Sequence, residues 1–335
     1  METFPEPDYL ARLNAHPRDK RITFDPIPHA YTIDGDASIK YTSVTTWNHS
    51  HFEEFDADAI IRSMMRSKKW AESKYYGQTP DQIKAGWDKN RDEAAAAGTA
   101  MHYDIECFYN QCPRDNPNIE YQYFKQFVED YPSLEAYRTE WTIFHEELRI
   151  SGSIDMVFRN KDDGTLSIYD WKRCREIKKT DRKCSKNPVI EHIPDTNYWH
   201  YCLQLNTYKA ILESKYGATI RDMYLVCLHP ENANKSYQRI KVMEMPDDIQ
   251  KLFEQRRKQV KEKVVEDIEI MRLIKVNGYK AEALLANGYI HCRMYRSLTE
   301  AVEGFSKNFF AGFNYNVFGL FLYLFLVVLG PLAIT

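Results

Sequence analysis

The chain has 335 residues, 28% of them charged and 44% hydrophobic, with a formal net charge of −3. That suffices for one large domain or two small ones with a sizeable core. The near-neutral balance excludes a global basic field, so any hold on nucleic acid must use local patches. Seven cysteines without a Cys-x-x-Cys pair, and no secretory signal at the start, argue against a zinc ribbon or a disulfide scaffold. Free thiols in a reducing, intracellular compartment are the expectation.

Residues 1–20 are polar, with prolines at 5, 7 and 17, and read as a loose lead-in. Short strands follow over 21–34, broken at Asp25-Pro26 and Ile27-Pro28, with a turn at Asp34-Gly35. Ser43-Val44-Thr45-Thr46 closes this β-rich entry. Helices are predicted over 56–110. The first covers Asp56 to Lys69, and Thr79-Pro80-Asp81 starts another that leads past Trp87. In the next stretch, 93–110, Met101, Ile105 and Phe108 form a buried stripe. His102 and Glu106, four residues apart, share a face beside it.

A further amphipathic helix is expected over 118–135, with Tyr121, Phe124, Phe127 and Tyr131 as aromatic core. Glu140 to Ile150 reads as a strand whose acids, Glu140 and Glu147, could join a metal site but fit a solvated strand face better. Residues 152–172, GSIDMVFRNKDDGTLSIYDWK, then have the pattern of a hairpin turning at Asn160–Gly164. Period-two alternation puts Asp170 and Lys172 on one face and Trp171 on the other, and pairing lays Asp155 beside Asp170. A basic run follows: Arg173, Arg175, Lys178, Lys179, Arg182, Lys183 and Lys186. Helix is predicted for 195–216, strands for 223–228 and 237–245, and a charged helix from Pro246 to about Leu273. This order suits a mixed central sheet flanked by helices. The expected division is a lead-in (1–20), a main domain (21–272), an amphipathic tail (273–315) and a hydrophobic C-terminal helix (316–334). That last stretch of 19 uncharged residues is long enough for a transmembrane helix. No segment reports an oligomer interface.

Two carboxylates and an ammonium converging at a sheet end suit metal-assisted phosphodiester hydrolysis. Asp155 and Asp170 would collect a hard cation, Mg2+ or Mn2+, with the Trp171 carbonyl adding an oxygen. Lys172 would orient the attacking water and stabilise developing charge. The basic run, Arg173, Arg175, Lys178, Lys179, Arg182 and Lys183 above all, would track phosphates without reading sequence. On its own, Asp-x-Lys reads better as a surface hairpin with a salt bridge, and Gly-Ser-Ile-Asp on the neighbouring strand brings the two readings level.

Four pieces in order resemble the PD-(D/E)XK nuclease superfamily, in its RecB-like and lambda-exonuclease-like branch, across about residues 21–270. They are Gly98-Thr99…His102, Gly152-Ser153-Ile154-Asp155, Asp170-Trp171-Lys172 and Gln204…Tyr208. The resemblance implies a restriction-endonuclease-like fold and a metal-dependent, exonuclease-like DNA nuclease. It makes His102 a metal ligand, with Glu106 not one, and sets Gln204 and Tyr208 along the cleft. Some relatives carry an iron–sulfur cluster, but these cysteines offer no ligand set for one. The tail from about Ile274, with Arg293-Met-Tyr-Arg-Ser and Gly304-Phe-Ser-Lys-Asn, resembles the end of family 2 membrane glycosyltransferases. No nucleotide-sugar site is recognisable upstream, so no sugar transfer is expected, though membrane association through 316–334 is. The rival readings are a membrane-tethered nucleic-acid-binding module without catalysis and a glycosyltransferase remnant.

Overall fold

A computed structural model describes residues 7–263. The tail expected over 273–315 and the hydrophobic helix expected over 316–334 lie outside them. Among the described residues no helix is long and apolar enough to cross a membrane.

In chain order the elements are α1 (Tyr9–Leu13), β1 (Ile22–Asp25), β2 (Ala30–Ile33), β3 (Thr42–Ser43), α2 (Val44–His49), α3 (Ala57–Met65), α4 (Pro80–Tyr109), α5 (Ile119–Asp130), β4 (Glu135–His145), β5 (Ile150–Arg159), β6 (Leu166–Lys172), α6 (Asn197–Lys215), β7 (Ile220–Cys227), β8 (Gln238–Lys241) and α7 (Pro246–Lys263). β1 and β2 form a separate antiparallel hairpin. The main sheet is mixed. β5 pairs antiparallel with β4 along its length, and on its other side with β3 at its start and β6 at its end. β6 pairs parallel with β7, and β7 antiparallel with β8. The parallel pair needs a crossover, which contains α6.

Helices cover both faces. On one, Ile168, Leu225 and Val157 of the sheet join Leu203, Ile211 and Leu212 of α6 and Val44 and Trp47 of α2. On the other, Met156, Tyr169 and Trp171 pack with Met101 and Ile105 of α4 and Phe124 and Phe127 of α5. Helix on sheet on helix is the three-layer arrangement the element order implied.

Several boundaries differ from the sequence reading. Val44-Thr45-Thr46 is helix, because the Ser43 side chain accepts the Thr46 N–H as an N-cap and Val44 and Trp47 then bury together. α4 is one 30-residue helix, launched by a Thr79/Gln82 capping box, where two segments were read. β4 begins at Glu135 and ends at His145, before the turn into β5. β8 is only four residues long, since its pairing with β7 ends at Lys241. The lead-in is docked: Leu10 is buried. Asp19 accepts from Arg138 at 2.7 Å and from the Trp141 indole at 3.0 Å.

Candidate active site

The β5–β6 ladder runs from Arg159↔Leu166 to Met156↔Tyr169 and stops there. The next opposed positions are Asp155 and Asp170, where the strands part. Parting frees the β5-facing N–H and carbonyl of Trp171, which stays registered with Val226 of β7, and side chains take over. The Trp171 N–H donates to Asp155 Oδ2 at 2.9 Å. Its carbonyl accepts from His102 Nε2 at 2.9 Å, which uses one of its two lone pairs. A carbonyl only accepts, so Nε2 holds the proton. His102 Nδ1 faces the acids, 3.6 Å from Asp155 Oδ2 and 3.8 Å from Glu140 Oε1.

For Glu140 the sequence left two places open, a metal site and, in preference, a solvated strand face. β4 pairs Thr139 with Met156 and Trp141 with Ile154, so Glu140 falls opposite Asp155. Three acids, Glu140, Asp155 and Asp170, thus stand in a row on three adjacent strands. Glu140 has φ +42°, in the left-handed region that a non-glycine residue rarely occupies within a strand. Such backbone costs about 1–3 kcal/mol and persists where surroundings enforce it. Here Ser153 Oγ donates to Glu140 Oε2 at 2.8 Å. Glu147 lies elsewhere, paired with Lys215 at 3.5 Å.

Lys172 Nζ lies 2.7 Å from Asp170 Oδ2 and 4.7 Å from the centre of the Tyr201 ring. The short contact is a charge-assisted ion pair between the ammonium and this buried oxygen. Burial pushes Asp170 up to about 7, aided by Asp155 and opposed by Lys172. Burial also lifts Asp155, although His102 and Lys172 pull it back. For Lys172, burial acts downward but Asp170 and Asp155 outweigh it, so the ammonium stays charged. Burial likewise opposes the charge on His102, yet Asp155 and Glu140 raise it to about 9. One turn along α4, burial and then Glu140 bring Glu106 to about 7. It flanks the row of acids.

Gln204 and Tyr208 lie on the same face of α6, and Gln204 Nε2 donates to the Tyr208 hydroxyl at 3.3 Å. Tyr208 is 3% exposed and presses on β5 at Gly152. A Cβ built there would sit 2.9 Å from Tyr208 Cε1 and 3.0 Å from its oxygen. Gly152 is therefore a close-approach position that lets the tyrosine reach the Asp155 strand. The basic run is not uniformly free. Arg173 pairs with Glu120 at 2.7 Å, partly buried, and Arg175 with Glu231 at 3.0 Å. Lys179 caps the Tyr198 ring at 4.7 Å. Lys178, Arg182 and Lys183 are exposed to solvent.

Ligand atoms of His102, Glu140 and Asp155 lie within 4.8 Å of one another. Asp170 is outside this close group, with one oxygen against Lys172. The donor set of carboxylates with one imidazole suits Mg2+ or Mn2+. Burial and the neighbouring acids hold Asp155 and Asp170 above the usual carboxylate range, and a bound cation would offset both causes. The residues present therefore fit a divalent cation.

The family model for the PD-(D/E)XK nuclease superfamily matches residues 119–294. It takes in Glu140, Asp155, Asp170, Lys172, Gln204 and Tyr208; His102 lies before it. No curated protein matches the chain.

Proposed function

The chain belongs to the PD-(D/E)XK nuclease superfamily, and on that premise we propose that it is a divalent-metal-dependent deoxyribonuclease, exonuclease-like in action. The observation that carries this reading is the row of three acids closed by His102 beside a half-buried, charged Lys172. His102, Glu140 and Asp155 would hold the cation, with Asp170, ion-paired to Lys172, contributing a further carboxylate beside them. A bound Mg2+ or Mn2+ supplies Lewis acidity and a more acidic water.

The chain's own residues do the rest. Lys172 works as a cation and not as a proton acceptor, since its acid neighbours hold its proton firmly. It orients the attacking water and offsets charge developing on the phosphate. The Trp171 N–H fixes one oxygen of Asp155, and the Trp171 carbonyl fixes the tautomer of His102. Gln204, tied to Tyr208, borders the cleft next to Lys172 and positions substrate. Lys178, Arg182 and Lys183 contact backbone phosphates.

The test incubates the full chain with linear DNA, closed circular DNA and RNA, each with Mg2+ or Mn2+ and with chelator. Loss of linear DNA alone, stopped by chelation, is the expected result. Nicking of the circle would replace the exonuclease with an endonuclease, and cleavage of RNA alone would replace the substrate. DNA binding with every polymer left intact would leave a non-catalytic binding module.

A further inference from the structure

Two thiols meet just past Lys172. This lysine ends β6, and it stands opposite Cys227 of β7 in the parallel register. The chain then leaves the sheet, and the Sγ of Cys174, two residues on, lies 3.8 Å from Cys227 Sγ, in hydrogen-bond contact. Both cysteines are free; Cys174 is half-buried and Cys227 buried. The bond to Cys227 holds the Cys174 thiol below its ordinary pKa, with burial opposing and the Lys172 ammonium aiding it. The same bond, and then burial, lifts Cys227. The pair thus divides into a reachable thiol that ionises first and a buried one that keeps its proton. That is the division between an attacking and a resolving cysteine.

We propose that Cys174 and Cys227 are a dithiol–disulfide pair, closed by a hydroperoxide, and that the site beside Lys172 is disabled while the bond is closed. With hydrogen peroxide, the Cys174 thiolate attacks one oxygen and the O–O bond breaks. The departing hydroxide takes up the proton that Cys174 shed, and the sulfur is left as a sulfenic acid. The Cys227 sulfur then displaces the sulfenic hydroxyl, which leaves as water with the Cys227 proton. The two thiols give up two electrons and two protons, and the peroxide becomes two waters. A thiol reductant reopens the bond by exchange.

Closure brings the sulfurs from 3.8 Å to about 2.05 Å. Little slack exists to absorb this. The Lys172 carbonyl accepts the Leu228 N–H at 2.8 Å, and the Arg173 side chain is paired with Glu120. The movement of Cys174 is therefore passed to Lys172, whose Nζ lies against Asp170. In a reducing compartment such a bond is transient, which suits a switch and not a structural staple. Bond formation is independent of the nuclease reading, whereas its effect on cleavage rests on that reading.

The experiment treats the full chain with a small molar excess of hydrogen peroxide, blocks the remaining thiols with iodoacetamide and maps the peptides without reductant. Peptides joined through Cys174 and Cys227 are expected, and dithiothreitol should separate them. In Cys227→Ala, Cys174 should stop at the sulfenic acid, trapped by dimedone; in Cys174→Ser, Cys227 should stay reduced. With the bond closed, cleavage of linear DNA should fall about 100-fold, the order that a misplacement of about 1 Å costs, and return with dithiothreitol. Cys174→Ser should cleave alike with and without peroxide. Peroxide that leaves Cys174 reduced, or that joins it to another cysteine, would overturn the pair. Full closure with unchanged cleavage, or an equal loss of cleavage in Cys174→Ser, would overturn the switch. A chain that closes the bond yet cleaves nothing when reduced loses the nuclease reading, and the switch with it, but keeps the thiol pair.

Discussion

Gly152→Ala is the smallest change that should disturb the site from a distance. The added methyl would meet Tyr208 Cε1 at 2.9 Å, its oxygen at 3.0 Å and Cζ at 3.4 Å. Tyr208 is 3% exposed and packs in the core between α6 and the sheet, so the ring cannot swing into solvent. Overpacking of this kind costs about 1–3 kcal/mol. For a domain of this size each kcal/mol lowers the melting temperature by about 2–4 °C. Any relief comes from pushing the ring off β5, which would move the Tyr208 hydroxyl away from Gln204 and the neighbourhood of Asp155. Activity should therefore fall by more than the lost stability explains when assayed well below the melting temperature. Thermal melts with cleavage rates at 20 °C check both parts. Adding Tyr208→Phe removes the 3.0 Å contact but not the 2.9 Å one, so it should restore part of the stability and little activity. A Gly152→Ala protein that melts and cleaves like the parent would refute the close-approach argument.

Four other outcomes are expected. In chelator, the urea midpoint should fall as pH rises from 6 to 9. His102 has a folded pKa of about 9, above its ordinary 6.5, so its contribution is complete below about 6.5 and lost as pH rises through 9. Asp170 and Glu106, both raised to about 7, act in the same direction at lower pH. His102→Gln should flatten the upper part of the slope, and a midpoint that climbs over this range would contradict these assignments. Mn2+ at about 100 times its Kd should add about 2.7 kcal/mol of stability, an increment lost in Asp155→Asn; equal shifts in both proteins would place the ion elsewhere. Replacing Lys178, Arg182 and Lys183 with alanine should reduce the salt slope of duplex DNA binding by about 0.9 for each phosphate contact removed, without changing the melting temperature. Arg173→Ala should instead lower the melting temperature, because it strands Glu120 in a partly buried ion pair; an unchanged melt would free Arg173 for phosphate.

The site was legible where it depends on local periodicity. Alternation along 152–172 places Asp155 beside Asp170 and sets Lys172 opposite Trp171, and the hairpin has that form. Four-residue spacing on a helix joins Gln204 to Tyr208, and they are hydrogen-bonded. Glu140 was legible only as one of two acids that could join the site, because the choice between them follows from the β4–β5 register and from a left-handed backbone torsion. Reading the short turn at 146–149 as a second hairpin would have brought it opposite Asp155. The docking of the lead-in was hidden for a similar reason: Asp19 meets Arg138 and Trp141 across about 120 residues of chain. At 44–46, β-branched residues favoured a strand, but the Ser43 cap and the burial of Trp47 override that weak propensity. The alternating stretch after Lys241 keeps one backbone bond to β7, from the Val242 N–H to the Met223 carbonyl, and then leaves the ladder, so alternation alone did not make it a strand.

The central claim is that the acid row and Lys172 together cleave phosphodiesters. Single-turnover cleavage of linear DNA by the full chain, beside Asp155→Asn and Lys172→Ala proteins that melt as the parent does, tests it most directly. The account predicts cleavage that requires Mg2+ or Mn2+ and falls about 100-fold or more in each variant. Cleavage that persists in either variant, or in chelator, would contradict it.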